Sequence, residues 1–304
     1  MAEYSKAFIM QYLRKQKNMT QEELSEGICD PVTLSRYENG NLNPSEDKYN
    51  RIMEKLGYSG ETYIFPIQTE GIYVEEKMEK ILLTLEKEEL VRTRELVEEL
   101  KMTVSFSYKE NQQYIGRIEA ILDKKEGKVD DEGYIDTLVK LMRLTFAEFT
   151  VEHNIQPHIY TESELLLSHS IASWYKEKGK LEEACSIYQA LENYYDTVEV
   201  IRDFKPKYLI LVSHSNILGL QGKHKESISL CEKGIKWLKE QGICNYLYNF
   251  YYNMGWNLIK MAKDRKEIEQ GRRYIWLSYQ LCELYPENKR NLERIKKYYE
   301  SIPK

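Results

Sequence analysis

TQEELSEGICDPVTLSRYENGNLNPS, residues 20–45, decides how the N-terminal part of this chain folds. Thr20 followed by Glu23 is a capping box and starts a helix expected to run to about Glu26. Asp30 before Pro31 is a second start signal, an N-cap with proline at the first helical position. Asn39-Gly40 closes that helix, and Pro44-Ser45 opens another that reaches about Leu56. Upstream, Ser5 to Lys17 carries Phe8, Ile9, Tyr12 and Leu13 at helical spacing. Two short helices joined by a tight turn, inside a four-helix unit, have helix-turn-helix geometry. Leu24, Ile28, Leu34 and Tyr37 are the expected core of that unit.

Several separated elements of this stretch, Thr20-Gln21, Leu24, Leu34-Ser35, Glu38-Asn39-Gly40 and Pro44-Ser45, resemble the phage-repressor-like (XRE) DNA-binding family. The resemblance implies that the helix beginning at Pro31 enters the major groove. Gln21 would then approach a phosphate. Val32 and Arg36 sit one turn apart on the outward face, flanked by Thr33 and Ser35. Arg36 can donate two hydrogen bonds to guanine O6 and N7, and Val32 can pack on a thymine methyl. Arg14 and Glu38 match a structural ion pair of the family, so both are expected to be scaffold. Asp30 departs from the polar or basic residues common there.

Charge does not advertise this function. The chain of 304 residues carries a net charge of −5, and its first 60 residues hold 8 Lys/Arg against 9 Asp/Glu. A DNA interface therefore rests on the motif. Fifteen glycines, 7 prolines and 25 tyrosines suit an all-helical protein. Five cysteines without a CxxC pair suggest buried thiols in a reducing cytosol, with neither a disulfide framework nor a zinc site. No signal peptide or membrane-length apolar run is present, so a cytoplasmic location is expected. The five histidines lack metal or nucleophile spacing, and no phosphate loop or GxSxG occurs. Neither an enzyme nor a cofactor is expected.

From about residue 67 helix follows helix, about eleven in all, pairing into five or six hairpins with no strand. The expected division is 1–66 for DNA binding and 67–304 for a helical repeat domain. Ala172, Tyr175, Gly179, Leu181, Ala184, Tyr188 and Leu191 follow tetratricopeptide spacing. The same pattern returns 43 residues later as Ser215, Leu218, Gly222, His224, Ser227, Cys231 and Gly234. A third unit begins near Asn245, with Ala262 replacing the turn glycine. Stacked hairpins of this kind make a right-handed solenoid with a concave surface.

An XRE domain on such a solenoid resembles the Rgg/PlcR/NprR/PrgX regulators. The runs YIDTLVKLMRLTFAEF (134–149) and ELLLSHSIASWY (164–175) add to the likeness. The resemblance implies a homodimeric transcription factor that binds operator DNA and a short signalling peptide. The segment NYLYNFYYNMGWN, residues 245–257, then stands out. On a helical wheel, Leu247, Phe250, Met254, Leu258 and Met261 form one apolar stripe. Tyr248, Tyr252, Trp256 and Ile259 form a second, nearly opposite, so neighbours sandwich this helix. Asn249, Asn253, Asn257 and Lys260 occupy a sector between the stripes, and Asn245 reads as an N-cap. Asparagine amides can hold an extended backbone by donor and acceptor together. Asn216, Asn249, Asn253 and Asn257 are therefore the expected peptide contacts. The rival reading is a ligand-independent repressor, or a scaffold whose solenoid docks another protein.

Overall fold

The computed structural model describes residues 6–57, 73–151, 158–197, 204–285 and 289–303, and shows no strand among them. Four helices make the first unit: α1 (Lys6–Gln16), α2 (Gln21–Ser25), α3 (Pro31–Glu38) and α4 (Glu46–Lys55). Each N-cap read from the sequence of this unit is formed. Thr20 and Glu23 exchange the two bonds of a capping box, while Asp30 and Ser45 accept from the backbone of Thr33 and Lys48. Ile9, Met10, Leu13, Leu24, Leu34, Tyr37, Ile52, Met53 and Leu56 are buried together, and Ile28 is partly buried against them. Each fully buried leucine or isoleucine contributes roughly 1.5–3 kcal/mol, which is what holds so short a set of helices in one arrangement.

Eleven helices follow among the described residues. They are α5 (Tyr73–Glu86), α6 (Leu90–Lys101), α7 (Lys109–Lys125), α8 (Asp131–Met142), α9 (Glu162–Glu177) and α10 (Leu181–Thr197), then α11 (Phe204–Leu220), α12 (His224–Glu240), α13 (Leu247–Met261), α14 (Arg265–Glu283) and α15 (Lys289–Ser301). Consecutive helices pack as five antiparallel hairpins, with α15 added against α14. The odd-numbered helices α7, α9, α11 and α13 also touch one another in sequence, the inner row of a curved stack. Arg290 of α15 meets Glu88 in the α5–α6 turn at 2.5 Å, so the last helix reaches the first hairpin. The expected boundary after residue 66 lies outside the described residues, as does His153.

Gly179 and Gly222 end α9 and α11 at φ +73° and +78°, the left-handed turn the repeat spacing required. The third unit turns instead through Ala262, Lys263 and Asp264, with Asp264 capping α14. Two corrections follow for small expectations. Helix α13 starts at Leu247 with Tyr246 as its cap, so Asn245 is a turn residue and not the N-cap. Of the five free thiols, Cys244 is exposed and Cys29 only half-buried.

Candidate functional site

The recognition helix α3 shows one outward face. Val32 is 63 % exposed, and Arg36 is exposed with no ion pair among the described residues. Behind it, Arg14 grips both oxygens of the buried Glu38 carboxylate at 2.7 and 2.8 Å and also donates to the Met19 carbonyl. That fork fixes α1 to α3 and confirms the scaffold role of both residues. Gln21 joins it: its Nε2 donates to Glu38 Oε2 at 2.7 Å, leaving one amide hydrogen for a phosphate. Thr33 donates its hydroxyl to Asp30 Oδ2 at 2.6 Å, so only its lone pairs remain for DNA. Ser35 is partly exposed beside Asn39. The Thr33 hydroxyl and the helix amides hold the Asp30 carboxyl below the usual carboxylate range.

The asparagines of α13 sit where two apolar stripes leave them, and the sandwich is as expected. Phe250 and Met254 belong to the main core, while Tyr248, Tyr252, Trp256 and Ile259 pack on α14 and α15. The polar sector, however, points into the preceding hairpin. Asn253 donates to Ser215 Oγ at 2.8 Å and to the Val212 carbonyl at 3.2 Å. Asn257, 1 % exposed, donates to Ser227 Oγ and to the Asn253 carbonyl, and accepts from His224 Nδ1 at 2.8 Å. Gly219 makes room for it: a Cβ there would lie 2.7 Å from Asn257 Oδ1. With both amide hydrogens and its oxygen engaged inside, Asn257 holds α13 against α11 and α12 instead of presenting itself to a ligand. Asn253 gives its amide nitrogen to two oxygens of α11. Asn249, half-buried, donates to Tyr208 OH at 2.5 Å. Asn216 differs: its Oδ1 is buried with no partner.

Two features escaped the sequence reading. The first is a polar chain from the DNA-binding unit into the solenoid. Tyr12 of α1 is hydrogen-bonded to His158 Nδ1, and His158 stacks on Phe146 with ring centroids 3.9 Å apart. His158 Nε2 lies 3.0 Å from Glu164 Oε2, and Thr145 donates to Glu164 Oε1 at 2.5 Å. Gln113 of α7 then donates to Thr145 Oγ1 at 2.6 Å. In the neutral imidazole Nε2 carries the hydrogen, because a carboxylate only accepts, and Nδ1 accepts from Tyr12. Glu164 is at once the capping-box residue of α9 and the centre of this chain.

The second is Cys185–His214–Glu192, with sulfur to Nε2 at 3.7 Å and Nδ1 to carboxylate at 2.8 Å. Burial opposes charge on His214, but Cys185 and Glu192 outweigh it and hold the imidazole above its usual value. The trio is wedged between α10 and α11 with Cys185 and His214 both buried, where it ties two helices together. Among the described residues no group of three or more His, Cys, Asp or Glu is placed to hold a metal. No helix among them is long and apolar enough to cross a membrane.

The helix-turn-helix family model matches residues 10–62. No curated protein matches the chain. Three solved structures share its architecture end to end. PlcR of Bacillus thuringiensis, solved with the peptide PapR7 and DNA, is 21% identical with a TM-score of 0.58, over 97% of this chain and 98% of that one. ComR of Streptococcus vestibularis, with its signalling peptide XIP, gives 14% and 0.53, over 96% of each chain. ComR of S. thermophilus, with DNA and its signalling peptide ComS, gives 15% and 0.51, over 97% and 98%. The likeness is one of fold. The class is therefore an all-α one: a helix-turn-helix unit carried on a tetratricopeptide-like solenoid. The architecture implied by the resemblance to the Rgg/PlcR/NprR/PrgX group holds over nearly the whole chain.

Proposed function

We propose that the protein is a cytoplasmic transcriptional regulator of the quorum-sensing type, a homodimer that binds operator DNA through α3 and a short signalling peptide in the concave face of the solenoid. Residues 1–66 do the first and 67–304 the second, together with dimerisation. Val32 and Arg36 read base edges, with Ser35, Thr33 and Gln21 on the backbone or beside it. Asn216 and Asn249 serve the peptide from the inner row.

The observation that carries this reading is the polar chain Tyr12–His158–Glu164–Thr145–Gln113. It begins on the helix braced to the recognition helix and ends on inner helix α7. A ligand that repacks α7 against α9 shifts the partners of Glu164, and that shift is felt at Tyr12. Binding at the two ends is then coupled, and the coupling is reciprocal. PlcR and the ComR of S. thermophilus, which share the fold, were solved with DNA and peptide, which supports both partners.

The test is a pair of titrations with full-length protein: melting temperature against synthetic peptides, and affinity for a genomic DNA fragment selected by the protein itself. A peptide at 100 times its Kd stabilises the folded state by about 2.7 kcal/mol. Expected are a raised melting temperature and a changed DNA affinity with the same peptide. DNA binding with no peptide response at all would leave a ligand-independent repressor.

A further inference from the structure

Several partly buried cations of the solenoid hold carboxylates. Arg94 holds Asp123 and Glu126, Lys124 holds Glu177, and Lys233 holds Glu192 and Asp196. Arg117 on α7 does not. It is 5 % exposed, makes no ion pair among the described residues, donates only to Ser170 Oγ at 3.2 Å, and has a buried Nε without a partner. One turn back, the hydroxyl of Tyr114 is also buried and unpartnered. A buried guanidinium with no counter-ion is among the least favourable things a fold can keep, because its desolvation is not offset.

Its register explains what it faces. Gly116 is the small residue that lets Leu141 of α8 close in, since a Cβ there would meet the leucine at 2.7 Å. The small residues of the repeat register are Ala120, Ala172 and Ser215, each seven residues before a left-handed turn glycine, Gly127, Gly179 and Gly222. Arg117, His169 and Val212 stand three positions before them on three successive inner helices, and Asn216 follows Ser215. Arg117 holds an unpartnered donor and Asn216 an unpartnered acceptor. Lys176 of α9 and Arg294 of α15 add positive charge without ion pairs among the described residues, Arg294 lying 5.1 Å over the Tyr252 ring. Burial and the Arg294 charge push the Lys176 amine below its usual value.

We infer that Arg117 is the anchor for a carboxylate of the bound peptide, and that Asn216, two inner helices away, takes its backbone. This rests on the peptide-binding reading above. Neighbouring helices about 9–10 Å apart place the two roughly 18–20 Å from each other. An extended chain covers that in about six residues. The ligand is thus a short peptide with a carboxylate at one end of that span, from its own C-terminus or from an acidic side chain.

Full-length protein is incubated with a random heptapeptide pool, once with free and once with amidated C-termini, and the retained peptides are sequenced by mass spectrometry. Wild type should retain carboxylate-bearing peptides. Amidation abolishes retention if the C-terminus is the source. Enrichment of Asp or Glu at one position in both pools identifies a side chain. Arg117→Gln should retain at least about tenfold less, and Arg117→Lys should recover part, a point charge replacing a bidentate fork. Without peptide, Arg117→Met should melt at or above wild type, since it removes an uncompensated buried charge. Retention without carboxylate preference, unchanged retention by Arg117→Gln, or a clearly lower melting point of Arg117→Met would overturn the anchor and leave peptide binding standing. No retained peptide with wild type would overturn both.

Discussion

Asn257 on α13 and Arg117 on α7 are buried to nearly the same depth on inner helices of one solenoid, yet their polar atoms are in opposite states. Asn257 uses both amide hydrogens and its oxygen on groups of α12 and its own helix. Arg117 keeps an unpartnered Nε and no ion pair among the described residues. A polar group buried by evolution without a function is normally satisfied. The satisfied asparagine is part of the packing, whereas the arginine leaves a donor unused. A row of polar residues on a helix is therefore not evidence for a ligand until its hydrogen bonds have been counted.

The comparison can be broken most directly at the satisfied end. Asn257→Ala leaves Ser227 and His224 without their partner and opens a cavity, so the chain should lose about 3 kcal/mol of stability. Chemical denaturation measures it. A loss under about 1 kcal/mol would mean the asparagine is not holding α13. Asn216→Ala, by contrast, should leave stability within about 0.5 kcal/mol, since no bond is broken.

Arg36 on α3 is a third state, exposed and unpaired, and should behave as neither. Arg36→Ala should keep the melting temperature and cost about 1–3 kcal/mol of DNA affinity per half-site. An unchanged affinity in a gel-shift titration removes Arg36 from the reading face.

The unpaired charge of Arg117 also has a pH signature. Burial, then the charges of Arg117 and Lys176, hold His169 down to about 3. The unfolded chain therefore binds a proton that the folded chain refuses. Stability is full above about pH 6.5 and falls as the pH drops toward 3. Between pH 7 and pH 5 the loss from this group reaches about 2 kcal/mol. Melts of wild type and His169→Gln at the two pH values check it, and the slope should shrink in the variant. A bound carboxylate beside Arg117 should shrink it too.

The smallest effect concerns the joint between the two units. Tyr12→Phe removes one hydrogen bond to His158 and should cost about 1 kcal/mol of stability or less. Its real readout is coupling: DNA affinity should respond less to peptide than in wild type. An undiminished response would show that the signal travels by another route.

The sequence determined the helix-turn-helix almost completely, because its signals are local. A capping box joins residues three apart, Pro31 follows its own N-cap, and Gly40 ends its own helix, so neighbours in sequence carry the whole message. It also determined the helical solenoid and the sandwiching of α13, since periodicity reports how many faces a helix must bury. It did not determine which way a polar sector looks. The partners of Asn249, Asn253 and Asn257 lie about 30 to 41 residues away, on helices whose rotation is set only by packing. Arg117 was missed for the same reason. The polar chain from Tyr12 to Gln113 joins positions up to 146 residues apart. Only the tertiary structure could assemble it, because hydrogen-bond satisfaction is a property of neighbours in space.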